Sequence, residues 1–142
     1  MKRQASAQWW GRLKDGKGTI TTDSGTLLKT PYSMVSRLGD APGTSPEELL
    51  AAAHAACYSM ALAAELGASQ IEPQNIRTTA TVTFEKQPQG LAATQLHLDV
   101  SARLPGADRM DFERAADNAR EGWLISFPFK GKLTVSVNLN VW

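Results

Sequence analysis

Residues alternate between apolar and polar types along three stretches of the second half of the chain. Every second residue of such a stretch would lie on one face of a β-strand. These residues are Ile76, Thr78, Ala80, Val82 and Phe84, then Leu96, Leu98, Val100, Ala102 and Leu104, and finally Leu133, Val135, Val137, Leu139 and Val141. The pattern predicts three strands, and residues 86–90 between the first two are predicted to form a hairpin loop.

The first part of the chain is predicted to contain short strands separated by glycines. Residues 19–22 and 26–28 are rich in Thr, Ile and Leu, and the Asp-Ser-Gly run at residues 23–25 is a tight-turn signal. Residues 31–44 contain two prolines and two glycines, so this segment is predicted to be a loop.

A long helix is predicted to begin at Pro46. Ser45 can cap it, and Glu48 stands three residues later, where it would complete a capping box. The helix would stop at Gly67. Residues 49–64 carry no charge and are apolar on nearly every side, which predicts a helix buried all round. Such burial is easiest in a short chain if a second subunit covers part of the helix.

A second helix is predicted after Asp108, which is a plausible cap, and it would end at Gly122. Its apolar stripe is predicted to consist of Met110, Phe112, Ala115, Ala116 and Ala119. The order of elements is strands, buried helix, strands, helix, strand. This order predicts an α+β fold in a single domain over residues 1–142, since no linker long enough to divide the chain is evident.

Composition excludes several classes of protein. The chain has 142 residues, of which 42% are hydrophobic and 20% charged, and its net charge is +1. These values argue against a disordered tail and against a nucleic-acid binder that works by bulk charge. No apolar run follows the basic N-terminus, and the uncharged stretch is shorter than the ~20 residues of a membrane span. A soluble cytoplasmic protein is expected.

Cys57 is the only cysteine, so the chain cannot form an intrachain disulfide. Metal binding is poorly supported, because the two histidines, His54 and His97, form no paired ligand spacing with it. Cys57 is either a small core residue or a reactive thiol. A reactive thiol would need a cation from elsewhere in the fold, because Cys57 lies in the middle of the helix, away from the positive N-terminal end of the helix dipole. His54 could act as a base, but a packed core or interface residue is the more common role.

Residues 43–62, GTSPEELLAAAHAACYSMAL, resemble the signature of the OsmC/Ohr family of osmotically inducible and organic hydroperoxide resistance proteins. The resemblance extends over essentially the whole chain and includes Trp10, Gly11 and residues 16–19 and 31–37. It is closer to the OsmC branch of the family.

The resemblance implies an OsmC-like fold, with antiparallel sheets around a long buried central helix in an intertwined homodimer. It also implies a cysteine peroxidase for organic hydroperoxides that needs no cofactor, with Cys57 reactive and Arg37 and Glu47 assisting. Neither a nucleic acid nor a membrane is expected as a partner. Ten residues of helix separate Glu47 from Cys57 by about 15 Å, so Glu47 could approach only the Cys57 of a second, antiparallel copy.

One position departs from the family pattern. The family carries a second, resolving cysteine after the second helix, where this chain has Trp123. The implied enzyme is therefore a one-cysteine peroxidase in which an external thiol reduces the sulfenic acid on Cys57. The alternative is a non-catalytic dimer of the same fold that binds a small apolar ligand.

Overall fold

The structure is a computed structural model that describes residues 1–122 and the backbone of residues 132–137. Residues 123–131 and 138–142, which include Trp123 and the last residues of the predicted final strand, lie outside the described residues. The chain forms two compact units, Met1–Leu49 and Leu50–Trp142, and the boundary between them falls inside the long helix rather than in a linker.

The first unit contains a three-stranded antiparallel sheet. Its strands are β1 (Ala5–Trp10), β2 (Lys17–Thr22) and β3 (Thr30–Ser33), and they lie in that order. The strand predicted over residues 26–28 is wrong. Thr22 instead closes a turn with Leu27, since its backbone N–H donates to the Leu27 carbonyl at 2.9 Å and its hydroxyl accepts from the Leu27 N–H at 3.1 Å.

The aromatic ring of Tyr32 packs against Gly18 in β2. A Cβ atom there would lie 2.5 Å from the ring of Tyr32 and 2.5 Å from the Gln8 carbonyl. The Tyr32 ring in turn packs against Trp9 with a centroid distance of 5.4 Å. The absence of a side chain in β2 therefore lets β3 pack closely across the sheet.

The loop predicted over residues 31–44 is wrong at its start. Residues up to Ser33 belong to β3, and a single helical turn, α1 (Met34–Arg37), follows directly. The hydroxyl of Ser33 caps α1. This short helix was not predicted because the segment is rich in proline and glycine.

The long helix, α2 (Pro46–Ala68), begins where the sequence predicts and extends one residue past Gly67. The Ser45 hydroxyl accepts from the Glu48 backbone N–H at 3.0 Å, which is one half of the expected capping box. The Glu48 carboxylate accepts a hydrogen bond from the Thr44 hydroxyl at 2.7 Å. This carboxylate is therefore engaged by the residue before the cap.

The second unit contains another three-stranded sheet, in the order β4-β5-β6. Its strands are β4 (Asn75–Gln87), β5 (Gly90–Arg103) and β6 (Lys132–Val137), and α3 (Arg109–Gly122) connects the last two. The expected antiparallel pairing holds between β4 and β5, and β6 is added in parallel to β5. The predicted alternation is confirmed, since Leu96, Leu98 and Val100 are buried.

The core of this unit forms where one side of α2 packs with β5 and α3. Its members are Tyr58, Ala61, Leu62, Leu66, Leu96, Leu98, Val100, Ala102, Leu104, Phe112, Ala115, Ala116 and Ala119. Met110 was expected among them but is 67% exposed. The buried positions of α3 follow the i, i+3, i+4, i+7 spacing from Phe112, and Met110 lies off that stripe.

Within the single chain α2 is buried on one side only, so its burial all round, which was expected with a second subunit, stays a prediction. Ala52, Ala56 and Ala64 are exposed, and Met60 on the same stripe is 69% exposed. The reason is geometric, because packing on one side of a helix leaves the opposite side uncovered. By length and composition alone α2 could also cross a membrane, a test that core helices of soluble proteins pass as well.

Candidate functional site

Arg37 and Glu47 form an ion pair. Arg37 is the last residue of α1, and Glu47 lies in the first turn of α2. The Arg37 Nε donates to Glu47 Oε1 at 2.7 Å, and Nη2 donates to the same oxygen. The two side chains are 34% and 18% exposed. Partial burial weakens solvent screening, so this pair holds the guanidinium more firmly than a fully exposed pair would.

The second carboxylate oxygen of Glu47, Oε2, is buried and accepts no hydrogen bond within the described part of the chain. A buried charged acceptor without a donor costs free energy. This oxygen is therefore a position where a donor from outside the described residues would bind favourably.

Serine and threonine side chains fix the backbone that carries the pair. Ser33 and Ser36 form a reciprocal capping box at the start of α1. The Ser36 hydroxyl also donates to the Thr44 carbonyl at 3.0 Å. Neither Ser33 nor Ser36 is among the site residues predicted from the sequence, although their three-residue spacing is a capping signal.

Cys57 lies halfway along α2 and is partly buried. On the helix it stands beside the exposed Met60 and the buried His54 and Ala61. Ten residues of helix put about 15 Å along the axis between Glu47 and Cys57. The structure thus brings two of the three predicted site residues into direct contact and places the third farther along the same helix.

His54 is a structural residue of α2. It is 5% exposed, and its Nδ1 lies 2.8 Å from the Leu50 carbonyl, an acceptor to which the ring must donate. This bond fixes the protonated nitrogen toward the backbone. The geometry agrees with the interpretation of His54 as a packed core residue rather than a catalytic base.

Tyr58 follows Cys57 and points into the core. It is 2% exposed, and its hydroxyl donates to the Ala116 carbonyl at 3.0 Å. Burial, together with the smaller effect of the negative charge of Asp117, raises the pKa of Tyr58 to about 12, and the positive charge of Arg120 opposes this shift. Tyr58 therefore stays neutral and anchors the segment that carries Cys57.

A metal site does not emerge from the described residues. Across residues 1–122, no three His, Cys, Asp or Glu side chains gather into a group that could hold a metal ion.

Comparison with known proteins assigns the family. The family model described as OsmC-like protein matches residues 39–138 of the chain. The chain belongs to the OsmC family. The match includes Glu47 and Cys57, and Arg37 lies just before it.

Two named proteins resemble most of the chain. Peroxiredoxin OsmC of Escherichia coli strain K12 is 39% identical over 137 residues, which cover 96% of each chain. The organic hydroperoxide resistance protein of Xanthomonas axonopodis pv. citri strain 306 is 26% identical, over 79% of this chain and 76% of that protein.

The fold also matches a solved OsmC family structure. The organic hydroperoxide resistance protein OsmC of Legionella pneumophila superposes with a TM-score of 0.69 at 25% identity, covering 97% of each chain. The α+β architecture predicted from the sequence is therefore confirmed.

Proposed function

We propose that this protein is a thiol peroxidase that reduces organic hydroperoxides through Cys57 in defence against oxidative stress. The observation that carries the proposal is the Arg37–Glu47 pair, a fixed cation in a chain whose sole cysteine lies on the same helix as the glutamate. The names of the OsmC family relatives, peroxiredoxin and organic hydroperoxide resistance protein, support the same chemistry.

The proposed reaction begins with the Cys57 thiolate. Arg37 stays positively charged at any working pH and can stabilise this thiolate, while Glu47 orients the guanidinium. The sulfur attacks the outer oxygen of the hydroperoxide, an S–O bond forms and the O–O bond breaks. The alkoxide leaves and takes up a proton to become an alcohol, and Cys57 becomes a sulfenic acid.

Recycling in this proposal uses an external thiol. The first thiol condenses with the sulfenic acid, releasing water and leaving a mixed disulfide on Cys57. A second thiol then attacks the sulfur of the first one, so that an external disulfide forms, the bond to Cys57 breaks and the Cys57 thiol is restored. No second cysteine of the chain is needed, in keeping with Trp123 at the position where the family carries its resolving cysteine.

A homodimer completes the proposed site. Since Glu47 and its own Cys57 stand about 15 Å apart along α2, we propose that each Arg37–Glu47 pair serves the Cys57 of a second copy. The exposed apolar stripe of α2 around Met60 supports such pairing, because an apolar helix side of this kind favours burial. The buried Glu47 Oε2, which has no donor among the described residues, would then accept a hydrogen bond from the O–H group of the bound hydroperoxide.

A groove beside α1 supports a preference for organic substrates. Its volume is about 350 Å³, and most of its lining is apolar. The lining residues are Leu13, Lys14, Met34, Val35, Leu38 and Asp40. Met34 and Val35 belong to the same helical turn as Arg37, so we propose that the groove receives the alkyl group of the hydroperoxide.

The proposal is tested by peroxide consumption. Wild-type protein with a thiol reductant should consume cumene hydroperoxide with many turnovers, and Cys57→Ser should abolish this activity because the nucleophile is gone. A folded wild-type protein that consumes no hydroperoxide with either a monothiol or a dithiol would contradict the proposal.

A further inference from the structure

We infer that Ser36 is the positioning residue of the Arg37–Glu47 pair, an inference that rests on the proposed function of that pair. Ser36 immediately precedes Arg37 and is 9% exposed. Its Oγ accepts from the Ser33 backbone N–H at 2.8 Å. The hydroxyl proton faces two carbonyls, that of Ser33 at 3.1 Å and that of Thr44 at 3.0 Å.

The contact with Thr44 joins the two backbone segments that carry the ion pair. Thr44 directly precedes the residue that caps α2, and Glu47 follows Thr44 by three residues. Ser36 stands one residue before Arg37 at the end of α1. A single buried hydroxyl therefore bridges the segment that bears the guanidinium and the segment that bears the carboxylate.

Gly43 leaves no room for a side chain beside Ser36. Its φ of +132° suits glycine, and a Cβ atom there would lie 3.2 Å from Ser36 Cβ and 3.3 Å from Ser36 Oγ. The same Cβ would also meet the Pro31 carbonyl at 2.9 Å. The site around Ser36 is thus closely packed, and a Cβ atom on Gly43 would force the Pro31 carbonyl and the Ser36 side chain to shift.

A rigid backbone beneath the ion pair matters because the Arg37 side chain is long and about one-third exposed. Its guanidinium can stabilise a thiolate only if the backbone at both ends of the pair holds still. Ser36 touches none of the reacting groups in this account. It acts through Arg37 and Glu47, so its loss should change Cys57 reactivity only while Arg37 is present.

The test compares Ser36→Ala with Ser33→Ala, which removes the α1 cap and keeps the Thr44 contact. Two rates are measured on each full-length protein: oxidation of Cys57 by cumene hydroperoxide, and alkylation of Cys57 by iodoacetamide across a pH series. We expect Ser36→Ala to slow oxidation roughly tenfold and to move the alkylation midpoint to higher pH. Ser33→Ala should change oxidation less than about twofold.

A double variant separates positioning from loss of stability. Because Ser36 acts through Arg37, the Arg37→Met/Ser36→Ala protein should react at the same rate as Arg37→Met alone. If Ser36→Ala slows both backgrounds by the same factor, or leaves a folded protein with wild-type rates, the inference is overturned.

A glycine pair covers the case in which Ser36→Ala does not fold. Gly43→Ala should shift the Ser36 side chain together with the Pro31 carbonyl and should therefore also slow the oxidation of Cys57. Gly39→Ala is the matched control, since Gly39 also has positive φ, +89°, but a Cβ there meets nothing within 4 Å. Equal rates for the two glycine variants would contradict the inference.

The outcomes also separate this inference from the proposed function. If wild-type Cys57 resists cumene hydroperoxide, the peroxidase proposal fails, and the alkylation series still decides the role of Ser36. If Arg37→Met leaves the alkylation midpoint unchanged, Arg37 does not act on Cys57 and the positioning inference fails with it.

Discussion

Arg37 is the residue on which the proposed reactivity of Cys57 depends. Replacing it by Met keeps much of the side-chain length and removes the charge, so the thiolate should lose its stabilising cation. We predict that Arg37→Met slows alkylation of Cys57 near neutral pH and moves the pH midpoint of alkylation upward, because a neighbouring opposite charge favours the charged form of a group.

The matched control for Arg37 is Arg12→Met. Arg12 also pairs with a carboxylate, that of Asp15, but its side chain is 87% exposed. This variant should alkylate like the wild type. An unchanged midpoint in Arg37→Met would show that another group stabilises the thiolate.

Tyr58 gives a pH-dependent prediction that concerns stability alone. Its pKa is raised in the folded protein to about 12, so its contribution to stability is present below pH 10 and is lost as the pH rises through 12. The free energy of unfolding should fall by roughly 2 kcal/mol across that interval because of this group. In Tyr58→Phe this part of the decline should disappear.

The measurement is denaturant unfolding in steps between pH 9 and pH 12. Tyr58→Phe should also cost about 1 kcal/mol at neutral pH, since the Ala116 carbonyl loses its hydrogen bond. A decline of equal size in both proteins would assign the alkaline transition to other groups.

The helical turn α1 and the groove beside it should set substrate preference. Leu13 lines the groove, is 68% exposed and lies away from the ion pair in sequence. We predict that Leu13→Ser lowers kcat/KM for cumene hydroperoxide by about three- to tenfold. The value for hydrogen peroxide, which has no alkyl group, should not change.

Leu28→Ser is the control for the groove, because Leu28 is equally exposed, at 69%, and is not among the lining residues. Steady-state kinetics with both peroxides on both variants make the comparison. Equal losses for the two peroxides in Leu13→Ser would remove the groove from the account of specificity.

Elements with a local signal were predictable, and elements that depend on distant contacts were not. Residues close together in the sequence carry the signals for the alternation in β4 and β5 and for the start of α2 at Ser45 and Pro46. The turn α1 was missed because its capping serines lie within a segment rich in proline and glycine. The Ser36–Thr44 bond joins residues eight positions apart across a loop, which no periodic pattern reports.

The candidate site shows the same division. The resemblance to the family implies that Arg37 and Glu47 assist Cys57, and the structure places these two side chains in contact, while their roles stay a prediction. Packing decides which carboxylate oxygen of Glu47 binds Arg37. Packing also leaves Oε2 buried without a donor among the described residues. The exposure of one side of α2 depends on what else contacts the helix, which the helix sequence alone does not contain.

At the scale of the whole molecule, we predict a dimer held together by the exposed side of α2. A charge at Met60 would have to be buried without a partner, so Met60→Glu should produce monomers at micromolar concentration. Gln89→Glu, in the exposed hairpin between β4 and β5, should stay dimeric. Light scattering coupled to size-exclusion chromatography checks both, and a folded wild-type monomer would contradict the account.

The central claim is that Cys57 alone carries the peroxidase chemistry. Its most direct test is intact-mass spectrometry of the wild-type protein after one equivalent of cumene hydroperoxide, with and without a dione that traps sulfenic acids. We predict that the trap labels Cys57 nearly completely and that excess peroxide without a trap drives over-oxidation of the same sulfur. A folded protein whose Cys57 stays unmodified and unlabelled under both conditions would contradict the claim.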